Sequence, residues 1–293
     1  MKRLLMMVLL LIVLDSTWFP HFAFGIGAEQ DNALRVSSAA EAAEVFRIDA
    51  RLWWLSEVRG NISAGENHTM IVPGDVLDLR DDMGIRRGTL QELNLTYHSG
   101  QLSRISLHFI EGKFPGVTTL TKTVVYNQEH FNAAEHWDTT VNVLIGELGY
   151  DHALFNRPFV TMWGGMGIGY YGFTSGFLIG NGRDRDLEDV RTMAPSVHVD
   201  AAVGLAETLS LRGEVRYAFL GLENLAEGLG KLQFLSARAA LLWHALPQVN
   251  VEAGLNWLQV RARYAGIEVD DNYGDNRINM RATGPSLGVT VMF

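Results

Sequence analysis

Apolar and polar residues alternate along much of the chain. Over residues 209–219 and 249–257, nearly every second residue is apolar, and the residues between are polar, charged or small. A period of two is that of an extended strand, whose successive side chains point to opposite faces. The pattern therefore predicts β-strands that each have one apolar and one polar face.

This alternation predicts ten strands joined by connections of unequal length. The strands are expected at 48–59, 89–98, 102–111, 138–150, 158–173, 193–206, 209–220, 232–245, 249–264 and 277–293. Short turns are expected at 99–100, 151–157, 207–208 and 246–248, and long polar connections at 60–88, 112–136, 174–191, 221–230 and 266–276. The alternation loses its phase near Trp53 and at 145–147, so eight or twelve strands also fit.

The most specific pattern lies in the segment 286–293. Leu287, Val289, Val291 and Phe293 form one apolar row, and the aromatic residue closes it. This row resembles the C-terminal assembly signal of Gram-negative outer-membrane β-barrels. The resemblance implies an all-β, transmembrane, antiparallel up-and-down β-barrel in the bacterial outer membrane. It also implies that the barrel-assembly machinery folds the chain, and that outer-membrane lipids and lipopolysaccharide surround it. In that class the short turns are periplasmic and the long loops extracellular.

Residues 1–25 have the features of an export signal. Lys2 and Arg3 precede an apolar run at 4–14, which is too short to span a bilayer as a helix. Small residues then predict cleavage at about 25–28. The expected organisation is a signal peptide, a short periplasmic segment at 29–47 and an outer-membrane barrel at 48–293.

The aromatic residues give a second prediction, because amphipathic rings prefer the boundary between membrane and water. The predicted strand directions place one set at the extracellular boundary: Trp137, Tyr170, Tyr171, Phe219, Phe234, Trp257 and Tyr264. They place a second set at the periplasmic boundary: Tyr97, Tyr150, Phe159, Trp243 and Phe293.

Composition narrows the choice of partners. The chain has a formal net charge of −9, which argues against nucleic acid as a partner because there is no basic surplus to neutralise phosphates. It has no cysteine, which excludes both disulfides and a lipoprotein anchor. The composition says nothing about the oligomeric state.

Charged residues of both signs lie on the predicted polar face. The predicted lumen network consists of Glu92, His98, Arg104, His108, His198, Asp200, Arg212, Glu214, Arg216, Arg238 and Glu252, and Arg51 and Glu57 fall on the same face. Charges in a narrow interior must be paired, and a ten-stranded barrel is only slightly wider than one that side chains fill. The pattern predicts a lumen largely filled by side chains, with a narrow channel for ions or small solutes as the alternative.

No segment predicts catalytic residues, a cofactor or a metal. His198 and Asp200 share a face and could form a base and its orienting partner near the rim, which leaves an outer-membrane hydrolase as a further alternative. The acidic clusters at 78–82, 184–189 and 270–275 could offer oxygen ligands to Ca²⁺, but none has the EF-hand spacing, and they are interpreted as solvated turns. The leading prediction is a non-enzymatic barrel that acts through its extracellular loops in envelope integrity, adhesion or binding.

Overall fold

A computed structural model describes residues 45–63, 75–100, 102–126, 129–179, 184–221, 229–265 and 275–293. The predicted export signal and most of the predicted periplasmic segment lie outside these residues. The strands are β1 (Val45–Leu55), β2 (Glu57–Ser63), β3 (Val76–Asp78), β4 (Gly88–His98), β5 (Ser103–Thr119), β6 (Val124–Tyr126), β7 (Glu129–Phe131), β8 (His136–Arg157), β9 (Val160–Ile179), β10 (Asp184–Ala206), β11 (Leu209–Gly221), β12 (Leu229–Leu246), β13 (Val249–Ala265) and β14 (Asp275–Met292).

The described strands form a closed barrel. Ten barrel strands, with β1 and β2 acting as one, pair with their neighbours in chain order, and every pair is antiparallel. The pairing of β1 with β14 closes the circle. The small strand β3 pairs with β2, and β6 and β7 form a separate hairpin. The predicted fold class, an antiparallel up-and-down barrel of about ten strands, is confirmed.

A β-bulge at Ser56 separates β1 from β2. Trp53 lies opposite Ser286 of β14, but Glu57 lies opposite Thr283, so the first barrel strand contains one extra residue. After the extra residue, the side chains that would have pointed inward point outward. Glu57 therefore points outward, where it pairs with Arg59. The prediction that Glu57 lines the lumen is therefore wrong, because the alternation was carried through the bulge.

The turn predicted at 151–157 is also wrong. Strand β8 continues to Arg157, and the turn consists of Pro158 and Phe159. The polar residues of this segment suggested a loop, but Asp151 is buried in the barrel opposite Gly165 of β9.

The described residues include no helix that is long and apolar enough to cross a membrane.

The outer face of the barrel changes from apolar to polar at one height. On β13, Leu255 is exposed below this height and Arg261 above it, whereas the inward side chains change from Glu252 below to Val260 above. The outward change falls between Phe109 and Glu111 on β5, Leu144 and Asn142 on β8, Met193 and Arg191 on β10, Leu235 and Gln233 on β12, and Thr283 and Arg281 on β14. We call the part with the apolar outer face the membrane tier, and the part beyond it the outer tier.

The two tiers match two different surroundings. An apolar outer face over a charged interior suits a lipid bilayer, whereas a polar outer face over an apolar interior suits water. The outer tier lies at the end that carries the long connections, which is the extracellular end of an outer-membrane barrel. The strands therefore extend beyond the membrane on the extracellular side.

An apolar core fills the outer tier. Trp137 is fully buried and stacks on Phe177 with 4.3 Å between ring centroids, and the ring of Phe131 packs edge-on against both. The segment 75–87 also contributes to this core, and the Thr139 hydroxyl donates a 2.6 Å hydrogen bond to the backbone oxygen of Met83. This packing joins the segment to the inner wall.

The interior position of this core corrects part of the aromatic prediction. Trp137, Tyr171 and Phe234, which were predicted at the extracellular membrane boundary, are buried inside the barrel. Their strands are apolar on the inward face at this height, so an apolar side chain there does not mark lipid contact. The side chain of Tyr264 lies outside the described residues.

Candidate functional site

The membrane tier encloses most of the residues that the sequence suggested for the lumen. Ten of them have buried side chains on the inward face: Glu92, Arg104, His108, His198, Asp200, Arg212, Glu214, Arg216, Arg238 and Glu252. His98 is partly buried near the periplasmic end, where its ring and the Trp163 ring form a T-shaped pair with 5.5 Å between ring centroids. Arg51 is buried among them.

Arg51 links two carboxylates on opposite sides of the barrel seam. It donates through Nη1 to Glu92 and through Nε to Glu252, each at 2.5 Å. Glu252 also accepts a 3.0 Å hydrogen bond from Arg238, and Glu92 accepts one of 3.0 Å from the Trp53 indole. These bonds join β1, β4, β12 and β13 across the lumen.

A second chain of ion pairs continues around the wall. Glu214 accepts hydrogen bonds from Arg238 and Arg216, each at 2.6 Å. Arg216 also donates to Glu147 at 2.8 Å, and the Tyr171 hydroxyl donates to the same carboxylate at 3.1 Å. Each guanidinium thus lies between two carboxylates, which is how buried charges are neutralised in a poorly hydrated interior.

Asp200 is the centre of a third group. It accepts two 2.8 Å hydrogen bonds from Arg212 and longer ones, 3.2 and 3.3 Å, from Arg104. Arg104 also donates to Asp151 at 3.0 Å, and its guanidinium lies 4.7 Å from the centre of the Trp163 ring. The network therefore reaches down to the periplasmic half of the barrel.

Three acidic members of the network were absent from the predicted set. Glu147 lies where the alternation lost its phase, and Asp151 lies in the segment predicted as a turn. Asp49 is two residues before Arg51 on the same face and lies inside the predicted strand 48–59, so the alternation alone could have placed it in the lumen. Asp49 accepts hydrogen bonds from Arg47, Asn94 and Thr290.

The predicted partnership of His198 with Asp200 is not formed. His198 contacts Asp151 through Nε2, and its Nδ1 lies 3.7 Å from Glu147. All three side chains are buried in the membrane tier and not at the rim, so the predicted rim constellation does not exist. Gly165 and Gly149 leave the space for this imidazole, because a Cβ on Gly165 would lie 2.7 Å from its Nε2 and one on Gly149 would lie 3.0 Å from its Cε1.

His108 also belongs to the buried charged groups of the lumen. It lies in the periplasmic half of β5, five residues after Ser103, and its Nε2 is 3.0 Å from Glu92. His108 and His198 thus belong to the same charge network as the arginines.

Little space remains between these side chains. The cavity bounded by Trp53, Glu92, His108, Glu214 and their neighbours measures about 10 Å³. That volume corresponds to about one water molecule.

Within the described residues, no three His, Cys, Asp or Glu side chains are grouped to hold a metal ion.

The acidic cluster at 78–82 forms a turn. In the segment 78–82, Asp78 accepts hydrogen bonds from the backbone amides of Arg80 and Asp81, and Asp82 accepts one from the amide of Asp78. These carboxylates close a turn. Of the side chains in the other two clusters, 184–189 and 270–275, the structure describes that of Asp189, which pairs with Arg191.

Comparison with solved structures finds outer-membrane barrels. The outer membrane protease OmpT from Escherichia coli aligns with a TM-score of 0.49 and 11% identity, over 84% of this chain and 97% of that one. OprG from Pseudomonas aeruginosa aligns with a TM-score of 0.38 and 10% identity, over 86% of this chain and 96% of that one. Neisserial surface protein A aligns with a TM-score of 0.30 and 11% identity, over 85% of this chain and 97% of that one. No family model and no curated protein sequence matches the chain.

Proposed function

We propose that this chain, a β-barrel protein of the Gram-negative outer membrane, is a non-conducting and non-enzymatic barrel that acts through its extracellular surface in envelope integrity, adhesion or binding. The observation that supports this proposal most strongly is the filled interior of both tiers. Ion pairs occupy the membrane tier, and an apolar core occupies the outer tier.

A permeating ion would meet two obstacles in series. In the membrane tier it would have to separate carboxylates and guanidiniums that hold each other at hydrogen-bond distance. In the outer tier it would have to cross packed aromatic and aliphatic side chains, where an unpaired charge is strongly disfavoured. The described extracellular segment 75–87 packs in the same core, which suits a fixed binding surface.

The purified barrel is expected to produce no steady current steps in planar lipid bilayers. A porin reconstituted in the same bilayers supplies the positive control, and heat-modifiable gel mobility verifies that the inserted protein is folded. Reproducible, ion-selective steps from the folded protein would contradict the filled lumen and support the narrow channel.

Hydrolysis is expected to be absent for a separate reason. His198 is buried with Asp151 beneath the outer-tier core, so a lipid or peptide substrate has no path to this imidazole. Folded protein incubated with lipid A or with a peptide library should release no product above background. Turnover that His198→Ala abolishes, and that His152→Ala at the neighbouring exposed position retains, would instead establish the hydrolase.

A further inference from the structure

Six basic side chains cluster on one side of the outer surface. They lie on β2, β12, β13 and β14 and are all exposed: Arg59, Lys231, Arg261, Arg263, Arg277 and Arg281. We call these six residues the basic patch. They are a quarter of the 24 lysines and arginines in a chain whose formal net charge is −9.

Strand register makes the patch continuous. Arg281 lies opposite Arg59 of β2, and two residues further along β14, Asn279 lies opposite Arg261 of β13. In the next outward row, Arg277 lies opposite Arg263, which in turn lies opposite Lys231. Neighbouring strands are about 4.8 Å apart, and outward rows on one strand are about 7 Å apart. The cations therefore lie within reach of a single lipid headgroup.

The height of the patch matches the extracellular membrane boundary. On β13, Trp257 points outward two residues before Gln259 and four residues before Arg261, on the membrane side of both. Below Trp257, the lipid-facing surface includes Leu255, which is 68% exposed, and Leu287, which is 53% exposed. An outward tryptophan between an apolar and a polar surface is typical of the membrane–water interface. The patch thus begins where acyl chains end and phosphate groups are found.

The described part of this surface is mostly positive. Among the outward side chains described within 57–63, 231–246, 249–263 and 276–292, Glu57 is the one acid. Asp78 borders the patch on β3, but its carboxylate accepts hydrogen bonds from the backbone of its own turn. At the corresponding height on β5, β8 and β10, two basic residues, Lys113 and Arg191, are outnumbered by the acids Glu111, Asp138 and Asp189.

We propose that the basic patch is a binding site for the phosphate groups of lipid A, the phosphorylated glycolipid of the outer leaflet. Guanidinium groups bind phosphate oxygens in a bidentate manner, which explains five arginines among the six cations. Lys231, Arg261, Arg263 and Arg277 also line a groove of about 470 Å³, together with Asn61 and Asn279. The asparagine amides add hydrogen bonding for sugar hydroxyls, and the apolar surface below receives the acyl chains.

The test measures binding of bis-phosphorylated lipid A to the folded, detergent-solubilised barrel by native mass spectrometry. The variant R261A/R263A/R277A is expected to bind roughly 100-fold more weakly, because each cation near a phosphorylated surface contributes about a factor of five or more. The matched control K113A/R157A/R191A removes the same charge from other parts of the outer surface and is expected to bind as the wild type does.

Two further measurements need no variant. Wild-type protein should bind dephosphorylated lipid A as weakly as R261A/R263A/R277A binds the phosphorylated form, and inorganic phosphate should not displace bound lipid A. Equal affinity of the wild type for both lipids would overturn the proposal, as would equal losses in the two triple variants. Displacement by inorganic phosphate would show a site for soluble anions and would overturn the lipid as its ligand.

Discussion

Asp200→Ala should destabilise the folded barrel by about 3–5 kcal/mol, the typical result of removing one partner from a buried ion pair. Asp200 provides the two short hydrogen bonds that Arg212 makes, and the remaining acids near Arg212 are 3.7 Å or more away. Arg104 keeps its hydrogen bond to Asp151, so the loss of stability comes mainly from Arg212, whose buried charge is left without a close carboxylate. Unfolding by denaturant in lipid vesicles, followed by gel mobility of unheated samples, measures the change.

A double-mutant cycle separates the ion pair from other effects of the substitution. The variant D200A/R212A removes both charges, and it should be closer to the wild type in stability than D200A alone. The control Asp189→Ala breaks an exposed pair with Arg191 in the outer tier and should leave the unfolding midpoint nearly unchanged. Equal effects of D200A and D189A would mean that the lumen network does not contribute to stability.

Trp53→Ala is expected to cost about 3–5 kcal/mol, as for other large aromatic side chains removed from a packed interior. Trp53 is only 2% exposed, packs in the apolar core and donates its indole hydrogen bond to Glu92. It therefore joins the charged membrane tier to the apolar outer tier. Its loss leaves a cavity and removes one hydrogen bond from a buried carboxylate.

The neighbouring residue supplies the matched control. Trp54 has the same chemistry but points outward and is 41% exposed. Trp54→Ala should cost less than half as much as Trp53→Ala in the same denaturation measurement, because no interior cavity forms. If the two substitutions cost the same, the assignment of inward and outward faces at this height would be wrong.

The alternation of polarity was sufficient to predict the barrel and its strand number. Most predicted strands agree with the structure to within a few residues, because period two does not depend on which face is inside. The predicted strand at 102–111 is too short because β5 continues to Thr119. The outward residues around the predicted end include the charged Glu111 and Lys113, and a charged outer face is not expected for a strand in lipid.

The identity of the inner face was harder to predict because it depends on what surrounds the barrel. Phe234 was predicted at the membrane boundary with its ring outward, but it lies where the outer face turns polar, between Leu235 and Gln233, and there the interior is apolar. Contacts between strands could not be predicted either. The partner of His198 is Asp151, 47 residues earlier, and this contact requires the register of β8 against β9 and β10.

The seam between β1 and β14 has a consequence for the order of folding. Asp49 meets Thr290 across 241 residues of chain, and Arg51 meets Glu252 across 201. Contacts this distant form late, since a long loop must close before they contribute. Until then both edge strands expose unpaired backbone groups, and Arg51 lacks one of its two close carboxylates. Closure of the circle is thus the step that completes the ion pairs of Arg51, whereas pairs such as Arg216 with Glu214 need no seam contact.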